Sequence, residues 1–550
     1  MFVDDCTFTQ NGRTYRRVLL RNSYRVNGKV HHDLLANLSH CSEQDIEAIK
    51  LALKHKGRLS QLLDAAPSLS TKQGLAVGAV WVLKELAQRL GVGRALGHSR
   101  EGKWALWLVM ATALEPGSRL SAVRLAQRHA ACDLLGLEAF NEEDLYATLD
   151  WLDQHQAQIE GRLLAHRYHD HKPGLYLYDV TSSYLEGDHN ELAAYGYNRD
   201  GKKGKKQIVV GLLTDEEGWP ISVQVFEGNT SDPTTLKPQI EKMARRFGVK
   251  EVTVVGDRGM IKSVQIQDLS REHFHYITAI TKPQIEKLLK RGVLERGLFD
   301  EEVAEVSEQG VRYILRRNPQ RAQEMAATRE SKGAGVRQLA QQQSAYLAEH
   351  PGAQVAVALK QVQAKARQLR INSWVDIKAE GRTVQVAVKE EHLAAAARLD
   401  GCYVIKTDVP APAASAPLIH DRYKDLAQVE WAFRTMKTTL LELRPIYVRT
   451  AEHTRAHVLT IMLAYLLAHQ LHQLWQEVEV TVEEGLKELA SICAIEVVRD
   501  GQVCCQSIPE PRPLGQQLLA KVGLTLPEAI PCRNVPVVTR KKLTSERKSH

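Results

Sequence analysis

Three carboxylates in this 550-residue chain fall where the surrounding text would present them for chemistry. Asp179 follows the alternating run LYLY (175–178), Asp257 closes EVTVVG (251–256), and Glu430 lies in a stretch with helical spacing. Aspartate is a poor strand former and is costly to bury without a partner, so each acid at a strand end needs a reason. In α/β sheets the carboxyl ends of strands are where ligands and catalytic groups collect. Two carboxylates brought together there repel unless a cation lies between them. A pair of Mg²⁺ ions meets that need, because Mg²⁺ takes oxygen ligands and keeps positions open for phosphate and water. Taken singly, each aspartate also fits a plainer reading. Asp179 would start an Asx-type turn before Thr181-Ser182-Ser183, and Asp257 would cap a turn at Arg258-Gly259.

The text around Glu430 shifts the balance. Tyr423 lies seven residues before it and Lys437 seven after, while Leu426 and Arg434 are four away on either side. Those spacings put all five on one helical stripe, with Val429 and Phe433 opening the neighbouring apolar face. One carboxylate among cations suits a site that holds metal and phosphate together. The competing reading is an exposed helix with a Glu430–Arg434 ion pair.

The elements that would position these residues follow from turn and cap signals. RTYRRVLLRNSYRVNGKVHHDLLANL reads as two strands about an Asn27–Gly28 turn, and Ser42 with Asp45 opens a capped helix. Helical periodicity then fills about 70–166. From 175 the order is β-β-β-α-β-α-β, ending with the strand FHYITAITK (274–282). Helix-rich text with the strand-like WVDIKAEGRTVQVAV (374–388) interrupts it. HDRYKDLAQVEWAFRTMKTTLLEL (420–443) reads as one long helix and TRAHVLTIMLAYLLAHQLHQLW (454–475) as a more buried one.

Composition excludes several classes. The hydrophobic fraction of 44% and charged fraction of 25% are those of a globular protein. A net charge of +8 permits a polyanionic partner without requiring one. Eight cysteines without a CxxC pair argue against a disulfide scaffold or a zinc ribbon. The start MFVDDC carries no signal-peptide pattern, and the apolar runs at 105–114 and 458–467 are about half the roughly 20 residues a membrane span needs. A cytoplasmic protein without a membrane association is expected.

Further features carry weaker signals. Arg199, Lys202, Lys203, Lys205 and Lys206, with glycines between, would track the phosphates of a polyanionic partner or form a solvated hairpin turn. HRYHDHK (166–172) offers His166, His169 and His171 without a fourth metal ligand nearby, so a basic helix end explains it more simply. Arg119, Arg124 and Arg128 place positive charge along one stretch of the helical region. The tail 540–550, with five basic residues and one acid, reads as disordered.

Asp179, Asp257 in VVGDRG, and Glu430 in Tyr-x6-Glu-x6-Lys resemble the catalytic triad of DDE transposases of bacterial insertion sequences, in the branch with a Tyr-x2-Arg-x3-Glu-x6-Lys signature. GNTSDPTTL (228–236) and LELRPIYVRTAEHTRAHV (441–458) also resemble that branch. The likeness covers about 175–282 and 401–470. Tyr423, Glu430 and Lys437 fall on the signature, but Leu426 stands where it has arginine, leaving Lys424 or Arg434 as a replacement.

The resemblance implies an α/β, RNase H-like catalytic core (β-β-β-α-β-α-β-α) interrupted by an insertion domain, with a largely helical N-terminal region. It implies two Mg²⁺ ions, replaceable by Mn²⁺, on Asp179, Asp257 and Glu430, cleavage at the element's ends and strand transfer into target DNA. DNA contacts are expected from Tyr423, Lys424, Arg434, Lys437, Arg258, Lys202, Lys203, Lys205 and Lys206. Trp374 resembles the aromatic that relatives stack on an unpaired base, or else it is a core tryptophan. Expected partners are double-stranded DNA, as terminal inverted repeats and target, and a second copy of the chain on paired ends, with nucleoid association. The expected divisions are 1–60, a small α+β unit; 61–172, a helical DNA-end-binding region; 173–282 and 401–480, the two parts of the core; 283–400, the insertion; and 481–550, a C-terminal region. The rivals are a nuclease of the same fold that cuts without joining, and a DNA-binding protein without turnover.

Overall fold

Asn27 and Gly28 both take positive φ, 51° and 81°, which makes the tight turn that Asn-Gly text favours between right-twisted strands. The computed structural model describes residues 1–10, 12–56, 69–169, 172–499, 502–531, 533 and 535–539. His171 and the basic tail lie outside the described residues. The chain forms two units, Met1–Gly74 with Ala494–Pro509, and Leu75–Cys493 with Glu510–His550.

In the first unit β1 (Phe2–Gln10), β2 (Arg13–Val26) and β3 (Lys29–Asn37) form an antiparallel sheet. Val18, Leu38 and Ile46 make its small core with the helix Glu43–Lys54, which opens on the expected Ser42–Asp45 capping box. A strand the periodicity does not announce, β4 (Leu69–Ala76), begins the stretch expected to be all helix. Its neighbour in the sheet is β15 (Cys493–Arg499), followed by β16 (Gln502–Ser507). A pairing so distant along the chain leaves no local pattern.

The second unit opens with helices, among them Gly78–Arg89, Arg100–Leu114 and the 27-residue Glu142–Tyr168. Then come β5 (Leu175–Tyr184), β6 (Gln207–Thr214), β7 (Pro220–Phe226), the helix Asp232–Glu241, β8 (Thr253–Gly256), the helix Ser263–Arg271 and β9 (His275–Ala279). After β10 (Ala304–Glu308) and β11 (Val311–Arg317), two long helices and the hairpin β12 (Val375–Glu380)–β13 (Thr383–Val388) precede β14 (Cys402–Thr407). One mixed eight-stranded sheet results, in the order β10-β11-β14-β9-β8-β5-β6-β7. β5, β8 and β9 run parallel to their neighbours in that trio, while the remaining pairs are antiparallel.

Three sequence expectations need correction. β5 does not end at Asp179 but runs on through Thr181-Ser182-Ser183 to Tyr184, because β6 continues to pair with it. The expected helix over 420–443 is two helices, Ala416–Lys424 and Leu426–Lys437, meeting at Asp425. Within 283–400, β10 and β11 extend the central sheet, and only the part from Pro319 to Ala397 packs around a core of its own.

Candidate active site

Tyr178 of β5 lies opposite Gly256 of β8 in the parallel pair, so Asp179 and Asp257 are the next residues on adjacent strands. Alternation along β5 sends Tyr176, Tyr178 and Val180 into the core under Leu236, Ile240 and Leu269. Asp179 therefore faces the other side of the sheet, against which the helix Leu426–Lys437 packs. That helix buries Leu426, Val429, Phe433 and Met436, spaced three, four and three residues apart. Glu430, Arg434 and Lys437 are left on the adjoining stripe.

All three acids line a single open cleft of about 510 Å³, together with Arg199, Asp232, Arg434 and Lys437. Burial pushes the Asp179 carboxyl up to about 7, and the negative charges of Asp257 and Glu430 push in the same direction against Arg199. The Asx-turn reading of Asp179 fails, since the residue is within a paired strand. Asp257 does organise a turn: its Oδ1 accepts the Arg258 N–H at 2.7 Å, and the Met260 N–H donates to its carbonyl at 2.9 Å. The same Oδ1 accepts the Tyr423 hydroxyl at 3.2 Å, and Tyr423 is raised by burial and by Asp257. Glu430 and Arg434 are both exposed and line the cleft, but form no ion pair with each other, so the exposed helix stands without the pair it was read with.

Among the described residues, no group of three or more His, Cys, Asp or Glu side chains is gathered tightly enough to hold an ion as it stands. Three carboxylates around one cleft, one of them raised chiefly by burial and further by the charges of the other two, are nevertheless the donor set that a hard divalent cation requires. The residue types fit the ion.

The other expected contacts divide sharply. Arg434 and Lys437 line the cleft, and the Lys437 ammonium donates to Asp200 Oδ1 at 2.7 Å. Leu426, in the signature's arginine position, is buried, while Lys424 lies 3.5 Å from Asp421 and outside the cleft lining. Arg258, Lys202, Lys203, Lys205 and Lys206 are exposed outside that lining. Trp374 is only 5% exposed and belongs to the core of the segment between Pro319 and Ala397. Arg119 is buried, which removes it from a DNA-reading face, while Arg128 is exposed in a surface pair with Glu115. His166 bonds the Arg89 carbonyl and gathers no metal set among the described residues.

The sequence reading set Arg199 aside as one of a row of loop cations, but the fold folds it inward. Its guanidinium pairs with Asp232 in the cleft wall. Asp232 belongs to GNTSDPTTL, so the signal was present without a role attached.

Residues 170–467 match the transposase DDE domain, just over half of the chain, and residues 6–67 match the N-terminal domain of the IS1634 family of transposases. No curated protein matches. A solved piggyBac transposase synaptic complex with hairpin DNA is similar at 8% identity over 70% of this chain and 69% of its own, with a TM-score of 0.34. Among the described residues no helix is long and apolar enough to cross a membrane. The mixed α/β sheet, the acid-lined cleft and the two family matches together place the chain in the DDE transposase family of insertion sequences, as a metal-dependent enzyme of DNA transposition.

Proposed function

We propose that this transposase cuts DNA at the ends of its insertion sequence and joins the freed 3′-hydroxyls to target DNA, using Asp179, Asp257 and Glu430 as its metal ligands. The observation that carries the reading is the convergence of these three acids on one cleft whose remaining charged wall is Arg199, Arg434, Lys437 and Asp232. Two Mg²⁺ ions, or Mn²⁺ in their place, would supply Lewis-acid activation of the attacking oxygen and stabilisation of the leaving one.

The chain's own residues do the positioning. Arg434 and Lys437 stand beside the acids and neutralise the phosphate that enters, which answers the loss of the signature arginine at Leu426. Tyr423 holds Asp257 in place by its hydroxyl. The RNase H-like description fits a strand pair of this register with an acid after each. The stretch from Pro319 to Ala397 stands as the insertion within that core. Joining two ends requires both to be held at once, so a homodimer on paired, double-stranded ends within the nucleoid follows from the reaction.

The test uses purified full-length protein, Mg²⁺, and duplex DNA carrying the inverted repeats that flank the gene, with cut and joined products both scored. Asp179→Ala, Asp257→Ala and Glu430→Ala each abolish cutting while end binding persists. Cutting without joining by the wild type would establish the nuclease instead, and binding alone would establish a protein without turnover.

A further inference from the structure

Two tyrosine rings stand out in solvent beside the cleft. Tyr197 is 82% exposed and Tyr195 67%, and no large apolar or aromatic side chain among the described residues is more exposed than Tyr197. Exposed aromatic rings on a floppy loop would be unremarkable in energetic terms, but the backbone that carries these two is fixed. Ala194 and Gln207 exchange N–H···O bonds, both 3.0 Å. The Gln207 side-chain amide donates to the carbonyls of Tyr197 at 3.1 Å and Gly228 at 2.8 Å. Between the rings, Gly196 lies so close to the neighbouring chain that a Cβ there would sit 2.1 Å from the Gly228 carbonyl oxygen. Only glycine permits that approach.

The rings are also embedded in positive charge. Lys206 lies 6.0 Å from the Tyr195 ring centroid, and Arg199 lies 5.8 Å from that of Tyr197. Arg199 is itself a wall of the acid cleft. Asp200, the next residue, ties the same loop to the Glu430 helix by accepting the Lys437 ammonium. Two exposed aromatic side chains on a pinned backbone, each with a cation beside its ring and joined through Arg199 to the cleft wall, have the physical make-up of a stacking platform for single-stranded nucleic acid. Paired bases present only their edges to a protein, whereas stacking needs an open base face.

We infer that Tyr195 and Tyr197 form a platform on which unpaired bases of the element-end strand stack while the adjoining phosphate occupies the acid cleft. The inference rests on the function proposed above and adds a substrate contact to it. The occupant is the donor end rather than the target, because cutting precedes joining and the donor is the DNA that the cleft first meets. Lys202, Lys205 and Lys206 then follow the phosphates of the same strand, a role their exposure allows.

The experiment places 2-aminopurine, whose emission is quenched by stacking, at successive positions on either side of the cut in end DNA. The full-length protein is added with Ca²⁺ in place of Mg²⁺ so that no cutting occurs. Quenching at one or two neighbouring positions is expected, with emission restored several-fold by Tyr195→Ala with Tyr197→Ala and quenching kept by the two Phe variants. Both rings project into solvent, so thermal melting of the Ala variant should match the wild type and exclude misfolding. Wild-type protein that quenches no position, quenching that survives the Ala variant, or quenching only when the probe is in target DNA overturns the inference. Each of these leaves the proposed function standing if Asp179→Ala still abolishes cutting. Cutting by Asp179→Ala would remove the catalytic reading instead, whatever the probe reports.

Discussion

Asp179 continues β5 and Asp257 leaves the end of β8, each immediately after the Tyr178–Gly256 pair of the two parallel strands. The register itself thus forces two carboxylates together, and the charge of Asp257 adds to burial in lifting Asp179 to about 7. An acid whose folded value lies above its unfolded one, 3.8, binds more protons in the native state across that interval. Stability of the metal-free protein accordingly falls as pH rises from about 4 to about 7, and stays reduced above it. Asp179→Asn removes the penalty. It should raise metal-free stability at pH 8 by on the order of 2 kcal/mol after allowance for solvent screening in the open cleft, and by nothing at pH 4. Chemical denaturation in chelator at the two pH values measures this, and an equal effect at both would show that Asp179 does not carry the strain.

The same repulsion predicts a response to metal. Mg²⁺ or Mn²⁺ added at pH 8 should raise the melting temperature of the wild-type protein through binding to the native state alone. Asp179→Asn and Glu430→Gln should each lose most of that rise while keeping the fold. A full metal-induced shift in either variant would place the ions elsewhere.

Of the two candidates for the missing arginine's role, Arg434 lines the cleft, while Lys424 ends the preceding helix, which breaks at Asp425, and does not. Arg434→Ala should slow end cutting on the order of 10–100-fold, the effect of losing one charge-assisted phosphate contact worth about 1.5–3 kcal/mol. Lys424→Ala should stay within about twofold. Comparable losses in the two variants would return the question to the helix surface.

Much of the framework around the cleft is legible because its logic is local. Alternation around Asp179, the turn at Asn27–Gly28, the capping box at Ser42 and the apolar spacing of Val429 and Phe433 each act over a few residues. The strand's continuation past Asp179 is not fixed by its own residues. Thr181, Ser182 and Ser183 read as turn formers, and what keeps them extended is β6, paired from Gln207 onward. Arg199 and the β4–β15 neighbours failed to announce themselves for the same reason, since their partners are set by tertiary proximity rather than by spacing. Trp374 shows the limit of resemblance: its type fitted a base-stacking role, yet packing against the Val336 and Val362 core has buried it.

Burial makes a second titration count against acid stability. His469, 5% exposed, is pushed down to about 4 by desolvation, with the neighbouring His472 and Arg167 acting in the same sense and Asp215 against it. Its Nε2 accepts from the Gln473 amide at 3.1 Å, an arrangement that suits the neutral ring. The unfolded chain takes up this proton near pH 6.5 and the folded chain does not, so stability present above 6.5 is lost progressively as pH falls toward 4. The ceiling on that loss is about 3 kcal/mol. His469→Gln should flatten the pH–stability curve between 6.5 and 4 even if it lowers stability at neutrality, and an unchanged slope would show that another group governs acid unfolding.

Tyr423 offers the finest discrimination of the signature's roles. Its hydroxyl donates to Asp257 Oδ1 at 3.2 Å, so it orients the proposed metal ligand and also stabilises that carboxylate's charge. Tyr423→Phe keeps the half-buried ring and removes only this bond. Cutting should fall about tenfold at limiting metal, consistent with roughly 1.4 kcal/mol, and recover most of the loss when Mg²⁺ is raised, because the damage lies in holding Asp257 rather than in the DNA. Tyr423→Ala opens a cavity as well and should not recover. A Tyr423→Phe defect that ignores metal concentration would assign the hydroxyl to the phosphate instead, and Asp257 would then be held by the Arg258 N–H alone.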